Sequence, residues 1–421
     1  MLPKRDKILF AVGGLGENVT FQALSAWLIF FWSGRGNPDQ ALIPIGLLGI
    51  LLGIGRFIDA FDDPLIGHLS DITKSRWGRR FPYVFGGAPL LALAFFLLWL
   101  PIPNAIYFFV VLQFFFLMYT IVSAPYEGIL PEIAKTSSDR VSTSAWRVLF
   151  GVIGAGLGLM GSSLIIQRFN FPVMGAVLGA VALIAFWIAI LGVRKRLAQK
   201  TGDQPIHLYT ALLATLKNQQ FLIFSLAFIL FSLGLNLLTA LIPFYIVNLL
   251  RLPEGQTALF MALVLGGMLL ALPLQTKLSS RFGKKKIYAY SMLILGLLFP
   301  LLFLTGLTPF NPFWQTAGLV VLIGLALSGQ FIFPNAILAD VIDFDETKTG
   351  LRREAMYYGM QNTLQKFSFA ISSIIFGTTL AFFGATVDNP LGIRLIGPIA
   401  GVATILGFLV FIKWYKLPDE V

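Results

Sequence analysis

Long apolar runs recur along the whole sequence and are separated by short polar stretches. A run of about 20 apolar residues is the length at which an α-helix crosses the hydrocarbon core of a bilayer. The pattern therefore predicts an all-α membrane protein with about twelve transmembrane helices. Their approximate limits are residues 8 to 32, 41 to 67, 82 to 102, 105 to 131, 141 to 166, 172 to 194, 220 to 249, 256 to 278, 287 to 307, 313 to 339, 354 to 383 and 391 to 414.

The first apolar segment follows a basic N-terminus but is too long for the core of a signal peptide. It carries Glu17 and Asn18 where a cleavage site would have small residues. We therefore expect this segment to remain in the protein as the first membrane helix.

Composition strengthens the membrane interpretation. Hydrophobic residues make up 57% of the chain and charged residues only 12%, which is unlike a soluble globular protein. The chain has no cysteine. Its sequence therefore excludes disulfides, thiolate metal sites and a cysteine nucleophile.

The basic residues are concentrated in alternate loops. A net charge of +11 could indicate nucleic-acid binding, but this distribution is typical of cytoplasmic membrane loops. We expect a multi-pass protein of the cell membrane with both termini and the central loop in the cytoplasm, and no nucleic-acid partner. The clusters are Lys4, Arg5 and Lys7, then Lys74, Arg76, Arg79 and Arg80, then Arg194, Lys195, Arg196 and Lys200, and finally Arg281, Lys284, Lys285 and Lys286.

One of these basic loops is repeated. Ser75-Arg76-Trp77-Gly78-Arg79-Arg80 recurs as Ser280-Arg281-Phe282-Gly283-Lys284-Lys285, each time after the second helix of a half. Parallel repeats of this kind imply two pseudo-symmetric six-helix bundles with a substrate cavity between them. We predict an N-terminal bundle over residues 1–196, a cytoplasmic linker with an interfacial helix over 197–219, and a C-terminal bundle over 220–421.

Four ionisable residues lie near the end of the second apolar segment, in the run Gly55–Pro64. Each charge at membrane depth costs roughly 2.5 to 3.5 kcal/mol, so such groups usually line a cavity and bind ions or one another. On a continuous helix Arg56, Asp59 and Asp63 fall within about 60° of one another, whereas Asp62 points about 100° away from Asp63. The pattern predicts a cation pathway, and the alternative is an ion pair that only locks helices together.

Several segments together resemble one transporter family. Arg56–Pro64 is followed by Ser75–Arg80, and the later half contains Ala339-Asp340-Val341-Ile342-Asp343-Phe344-Asp345-Glu346 and Thr349-Gly350-Leu351-Arg352-Arg353-Glu354. In this order they resemble the glycoside-pentoside-hexuronide cation symporter family of the major facilitator superfamily, which includes melibiose permease. The resemblance implies cation-coupled transport of a sugar by alternating access between the two bundles.

The resemblance also implies a cation site. It places paired carboxylates at Asp59 and Asp63, with the Thr120 hydroxyl completing the site and Asp62 standing where melibiose permease has an asparagine. From the chemistry alone, oxygen ligands of this kind suit sodium. A third carboxylate and burial favour a protonated acid instead, whereas Arg56 and Lys366 oppose protonation. Sodium bound by Asp59 and Asp63 and proton coupling both remain open, and no cofactor beyond the coupling ion is expected.

The substrate half of the resemblance is altered. Arg147 matches an arginine near the bound sugar, and Lys366 matches a basic residue near the same cavity as the cation site. The two sugar-binding aspartates, however, correspond to Asn18 and Ser123, and an aromatic platform position corresponds to Glu127. Polar groups expected to converge inside the bundle suit a hydroxyl-rich ligand, with Tyr119, Tyr126 or Trp146 as an aromatic face. The alternative is interhelical hydrogen bonding, at about 0.6 kcal/mol each. The predicted substrate-binding residues are Glu17, Asn18, Gln22, Ser123, Glu127, Arg147, Gln361, Gln365 and Lys366.

The basic loops have a second implied role. By family resemblance, Arg76, Arg79 and Arg281 pair with acids at helix ends and stabilise the outward-facing state, and Asp71 and Asp340 are the candidate partners.

The sequence favours one functional class, with one alternative and one class that is not expected. We expect a sugar or glycoside symporter; the alternative is a transporter of a lysolipid or other amphipathic solute on the same fold. An enzyme is not expected, because the sequence shows no nucleophile-base set, metal cluster or Walker motif. The expected partners are the solute, a monovalent cation and the lipid bilayer, with the chain acting as a monomer.

Overall fold

A computed structural model of the chain describes residues 2–134, 136–197, 215–349 and 354–417. Every regular element in these ranges is helical. The chain divides into two compact units, one of residues 1–203 with 252–258 and the other of residues 204–251 with 259–421. Most of the predicted linker helix lies outside the described residues.

The described part of the first unit contains nine α-helices. A π-helical turn at Leu157–Gly161 joins two of them into one span, Ser138–Arg168. The helices are α1 Lys4–Ala11, α2 Gly13–Trp32, α3 Ile45–Asp59, α4 Asp62–Ile72, α5 Phe81–Leu97, α6 Ala105–Ile133, α7 Ser137–Gly156, α8 Ser162–Arg168 and α9 Phe171–Leu197.

The described part of the second unit contains six α-helices. A π-helical turn extends the first to Leu249, and a 3-10 turn, Phe299–Leu304, extends the third. The helices are α10 Gln219–Phe244, α11 Gln256–Phe282, α12 Lys284–Leu298, α13 Pro312–Thr349, α14 Glu354–Phe383 and α15 Leu391–Trp414.

Helices pack in the same pattern within each unit. In the first unit α2 packs on α7 and α9, and α5 packs on α6 and α9. In the second, α10 packs on α14 and α15, and α12 packs on α13 and α15. Five helices of the first unit, α2, α5, α6, α7 and α9, thus have counterparts with equivalent neighbours in the second unit, as expected for repeats of one helical unit.

Within the described residues, nine helices are long and apolar enough to cross a membrane. A shorter apolar helix, Phe81–Leu97, adds a further candidate. The structure therefore shows an all-helical protein with many potential spans, and the total of twelve stays a prediction.

The α2–α7 contact depends on a glycine. A Cβ added to Gly154 would lie 2.5 Å from the backbone oxygen of Leu15, so no larger residue fits without moving one helix. Small residues allow such close backbone approach in membrane helices. The glycine-rich stretch of α7 is thus a packing surface at this point.

Aromatic side chains fill the core of the first unit at the other end of α2. Trp27, Trp32 and Trp99 are fully buried, and Phe171 lies against Trp27 and Trp99. The indole N–H of Trp27 donates to Ser162 Oγ at 2.9 Å, so its polar atom is satisfied inside the bundle. This rigid core holds α2 in place opposite the polar residues described below.

Candidate functional site

The second apolar segment is broken at the acidic run. Instead of one continuous helix over about 41 to 67, α3 ends at Asp59 and α4 starts at Asp62. Proline at position 64 cannot donate a backbone hydrogen bond to the carbonyl of Ala60, which disfavours a continuous helix here. Discontinuous membrane helices are common at transporter ion sites, because they expose backbone groups to a bound ion.

Asp59 and Asp63, on either side of the break, both contact one hydroxyl. Thr120 Oγ1 on α6 lies 3.0 Å from Asp59 Oδ1 and 3.0 Å from Asp63 Oδ1. Thr120 is 1% exposed and Asp59 is also 1% exposed. Asp62, predicted to point elsewhere, is half-buried in the first turn of α4. Three of the four side chains predicted for the cation site, Asp59, Asp63 and Thr120, therefore meet within the first unit.

Arg56 completes this group. Its Nη1 donates to Asp59 Oδ2 at 2.6 Å, and its guanidinium lies 4.9 Å from the Phe21 ring centroid and 5.0 Å from that of Phe116. Arg56 and Asp59 are both buried. The aromatic faces and the carboxylate stabilise a charge that would otherwise be costly at this depth.

A hydroxyl group has one hydrogen, so Thr120 can direct it fully at only one of the two carboxylates. When both are ionised, the other contact brings oxygens together with no proton between them. Two ionised carboxylates at one hydroxyl repel each other, and a proton on one carboxyl or a monovalent cation beside it would relieve this repulsion.

The prediction that Asp59 and Asp63 bind a metal ion is limited to a monovalent ion. Among the described residues, no group of three or more His, Cys, Asp or Glu side chains has a geometry that could hold a metal ion. Asp59 and Asp63 form a pair, and Thr120 adds an uncharged oxygen. Such a set fits a weakly held monovalent ion better than a resident divalent metal.

A second charged cluster lies on α2, α6 and α7. Arg147 Nη2 donates to Glu17 Oε2 at 2.9 Å and to Glu127 Oε1 at 2.6 Å, and Arg147 Nε lies 3.3 Å from Glu17 Oε2. The Glu17 side chain is 8% exposed and that of Glu127 is 46% exposed. One carboxylate thus anchors the arginine inside the bundle, and the other is open to a solute.

Aromatic residues of α6 surround this cluster. The Tyr119 hydroxyl donates to the backbone oxygen of Glu17 at 3.2 Å, and the Tyr126 hydroxyl donates to that of Phe10 at 2.7 Å. The Arg147 guanidinium lies 5.3 Å from the Tyr126 ring centroid. Tyr126 is fully buried against Phe10, so it supports the arginine and does not offer a free face.

Other predicted substrate residues have local roles or lie in the second unit. Asn18 Nδ2 donates to the backbone oxygen of Gly14 on its own helix, at 2.9 Å. Gln22 and Ser123 are half-buried in the first unit. Gln361, Gln365 and Lys366 lie on α14 of the second unit, where Gln361 and Lys366 are buried and Gln365 is exposed.

The basic repeat is paired with acids in both units. Glu132 Oε1 lies 2.7 Å from Arg79 Nε and 2.9 Å from Arg80 Nη1, while Lys284 Nζ lies 2.6 Å from Asp340 Oδ1. Sequence reasoning named Asp340 but missed Glu132. Comparing the ends of the fourth helix of each half would have revealed it, since Glu132 and Asp340 follow the repeated loops at similar distances.

The other predicted gating residues differ from this pattern. The guanidinium of Arg281 lies 5.3 Å from the Phe282 ring centroid, and that of Arg76 lies 4.9 Å from the Trp77 ring centroid. The side chain of Asp71 lies outside the described part of the structure. The predicted pairing of Asp71 with an arginine of the basic loops therefore stays a prediction.

Comparisons with known proteins agree on the family. The family model described as MFS/sugar transport protein matches residues 9–419. The isoprimeverose transporter of Lactiplantibacillus pentosus is 24% identical over 92% of this chain and 82% of its own length. The sodium-dependent lysophosphatidylcholine symporter 1 of Xenopus tropicalis is 25% identical over 99% of this chain and 87% of its own length.

A solved structure supports the fold. The crystal structure of the nucleoside transporter NupG superimposes with a TM-score of 0.70 over 98% of this chain and all of that chain. The sequences are 16% identical, so this likeness concerns the fold alone.

Proposed function

Because the chain belongs to the MFS/sugar transport protein family, we propose that it is a cation-coupled symporter of a sugar or glycoside that works by alternating access. Membership of this family confirms the resemblance to glycoside-pentoside-hexuronide symporters. The relatives are transporters, in line with a function that involves no chemical conversion. A plasma-membrane location with cytoplasmic termini, twelve spans and a monomeric state belong to the same proposal.

The observation that carries the proposal is the position of Thr120 between Asp59 and Asp63, 3.0 Å from each. With both carboxylates ionised, two negative charges meet at one hydroxyl, which can donate to only one of them. A monovalent cation would remove the repulsion and hold α4 against α6. Cation binding would thereby order the first turn of α4.

Cation binding and substrate binding would be coupled because both proposed sites include residues of α6. This helix carries Thr120 of the cation group and Glu127 of the Arg147 cluster, two turns apart. If the cation stabilises the position of α6 and its neighbours, the substrate cluster needs less ordering when substrate binds. The two affinities would then rise together, and linkage requires the effect to be reciprocal.

The substrate would bind at the Arg147 cluster. The exposed carboxylate of Glu127 accepts hydrogen bonds, and the guanidinium of Arg147 donates them, which is the combination that sugar hydroxyls require. We propose Asn18, Gln22 and Ser123 as further polar contacts within the first unit. Gln361, Gln365 and Lys366 of the second unit stay predicted substrate-binding residues.

A lysolipid or other amphipathic solute is the second candidate. One relative is a lysophosphatidylcholine symporter, and both positions that carry sugar-binding aspartates in melibiose permease hold Asn18 and Ser123 here. Sugar relatives and the charged, open cluster at Glu127 favour the first candidate.

Transport by reconstituted protein tests the proposal. Uptake of sugars and of lysophosphatidylcholine into proteoliposomes would be measured with and without a sodium gradient at fixed pH, and with a proton gradient alone. We expect accumulation that depends on one of the two gradients. Asp59→Asn and Asp63→Asn should abolish accumulation, whereas Asp39→Asn, at an exposed loop position, should leave it unchanged. Uptake indifferent to both gradients would contradict symport.

A further inference from the structure

Two arginines lie on the indole ring of Trp77, in the loop between α4 and α5. The Arg76 guanidinium is 4.9 Å from the ring centroid, and the Arg194 guanidinium, in the last turn of α9, is 5.2 Å from it. Trp77 remains 37% exposed, and both arginines are exposed. Arg76, Trp77 and Arg194 are called the arginine-tryptophan cluster below.

The local fold brings the cluster together. Gly78 has φ of +101°, a backbone conformation that favours glycine, and a Cβ added there would lie 2.8 Å from Leu197 Cβ. The loop therefore packs directly against the end of α9. Phe81 holds the indole with an edge-to-face contact at 5.5 Å between centroids, and Arg194 lies 5.6 Å from the same ring.

The cluster differs from the neighbouring basic residues in its lack of acids. Arg79 and Arg80 contact Glu132, and Arg196 Nε contacts Asp6 Oδ2 at 2.5 Å. Among the described side chains, which do not include that of Asp71, no carboxylate forms an ion pair with Arg76 or Arg194. Both guanidinium groups on Trp77 therefore have hydrogen-bond donors from which an anion can accept.

An aliphatic surface begins beside the cluster. Leu191, one turn before Arg194 on α9, is 47% exposed, and further toward the start of the helix Ile188 is 40% and Ile184 55% exposed. In a membrane helix such side chains face acyl chains. Trp at the junction of basic and aliphatic residues is typical of the interface, where lipid headgroups lie.

We propose that the arginine-tryptophan cluster binds the phosphate of an anionic phospholipid, with the acyl chains lying along Leu191 and its aliphatic neighbours on α9. Two guanidinium groups suit a phosphate, which accepts several charge-assisted hydrogen bonds. The adjoining aliphatic surface favours a lipid over free phosphate. None of its residues belongs to the proposed solute or cation site.

Lipid binding to the full-length protein in detergent tests the site. Phosphatidylglycerol and phosphatidylcholine would be titrated and the bound lipid counted by native mass spectrometry, with inorganic phosphate as a separate arm. The test variant is Arg76→Gln/Arg194→Gln. The matched control, Arg5→Gln/Lys195→Gln, removes two charges from exposed residues outside the cluster.

We expect the wild-type protein to prefer phosphatidylglycerol and the test variant to bind it about thirtyfold more weakly, with the control unchanged. Trp77→Leu, which keeps both charges, should weaken binding by a smaller factor. If the double variant does not purify as a single species, Arg76→Gln and Arg194→Gln alone should each weaken binding about fivefold. Equal losses in test and control, or inorganic phosphate binding as tightly as the lipid, would overturn the proposal.

Discussion

Thr120 Oγ1 on α6 lies 3.0 Å from Asp63 Oδ1 in the first turn of α4. This contact crosses from one helix to the start of another, just after the break between α3 and α4. Any group that alters the charge on Asp63 therefore acts on the position of α4 relative to α6. The proposed cation site therefore also connects two helices of one unit, α4 and α6.

Replacing the Thr120 hydroxyl tests whether it contributes to cation binding. Thr120→Val keeps the shape of the side chain but removes the oxygen between Asp59 and Asp63. We expect cation-driven uptake to fall at least about tenfold, the effect of losing one charge-assisted contact of about 1.5 kcal/mol. Thr120→Ser, which restores the oxygen, should retain most activity. Equal uptake by both variants would show that the hydroxyl has no role.

The buried ion pair of Arg56 and Asp59 should stabilise the folded protein, because each charge compensates the other. Arg56→Leu leaves a buried carboxylate with less compensation, and we expect destabilisation of about 3 kcal/mol. The double variant Arg56→Leu/Asp59→Leu should be more stable than the single variant, because neither member of the pair is left buried without the other. Thermal unfolding in detergent measures both. A double variant at or below the stability of Arg56→Leu would contradict the pairing argument.

Arg147 should be needed as an arginine and not only as a positive charge. Its guanidinium contacts Glu17 and Glu127 at the same time, which a lysine ammonium reproduces poorly. We expect Arg147→Lys to weaken substrate binding about tenfold or more, while stabilisation by the coupling cation persists. Arg168→Lys, at an exposed position on α8, is the control. Ligand-induced shifts in melting temperature report the two effects separately.

The close approach of α2 and α7 predicts contrasting effects of two neighbouring glycines. A Cβ on Gly154 would meet the Leu15 backbone at 2.5 Å, whereas a Cβ on Gly156 would meet nothing within 4 Å. We expect Gly154→Ala to lower stability by about 1 to 3 kcal/mol through overpacking. Gly156→Ala should be neutral or slightly stabilising, because alanine is the better helix former. Similar melting temperatures for both variants would refute this packing.

Much of the cation group could be predicted from the sequence. Asp59 and Asp63 were named because charges at membrane depth are costly, and Thr120 was named through family resemblance. The break in the second helix was not predicted, because the apolar run continues across it and the helical periodicity was read as unbroken. Glu127 was named as a substrate residue. That Arg147 pairs with both Glu17 and Glu127 was not predicted, because the three residues lie on three separate helices.

The sequence by itself determined the helical membrane fold, the repeat and the identity of the charged residues, because hydrophobic length and the cost of buried charge act locally along the chain. Only the tertiary structure decided that Thr120 lies between two carboxylates, that Glu132 accepts from both Arg79 and Arg80, and that Arg194 reaches Trp77. Each of these contacts joins residues at least 50 positions apart. Their geometry follows from the packing of helices, which periodicity along one helix does not specify.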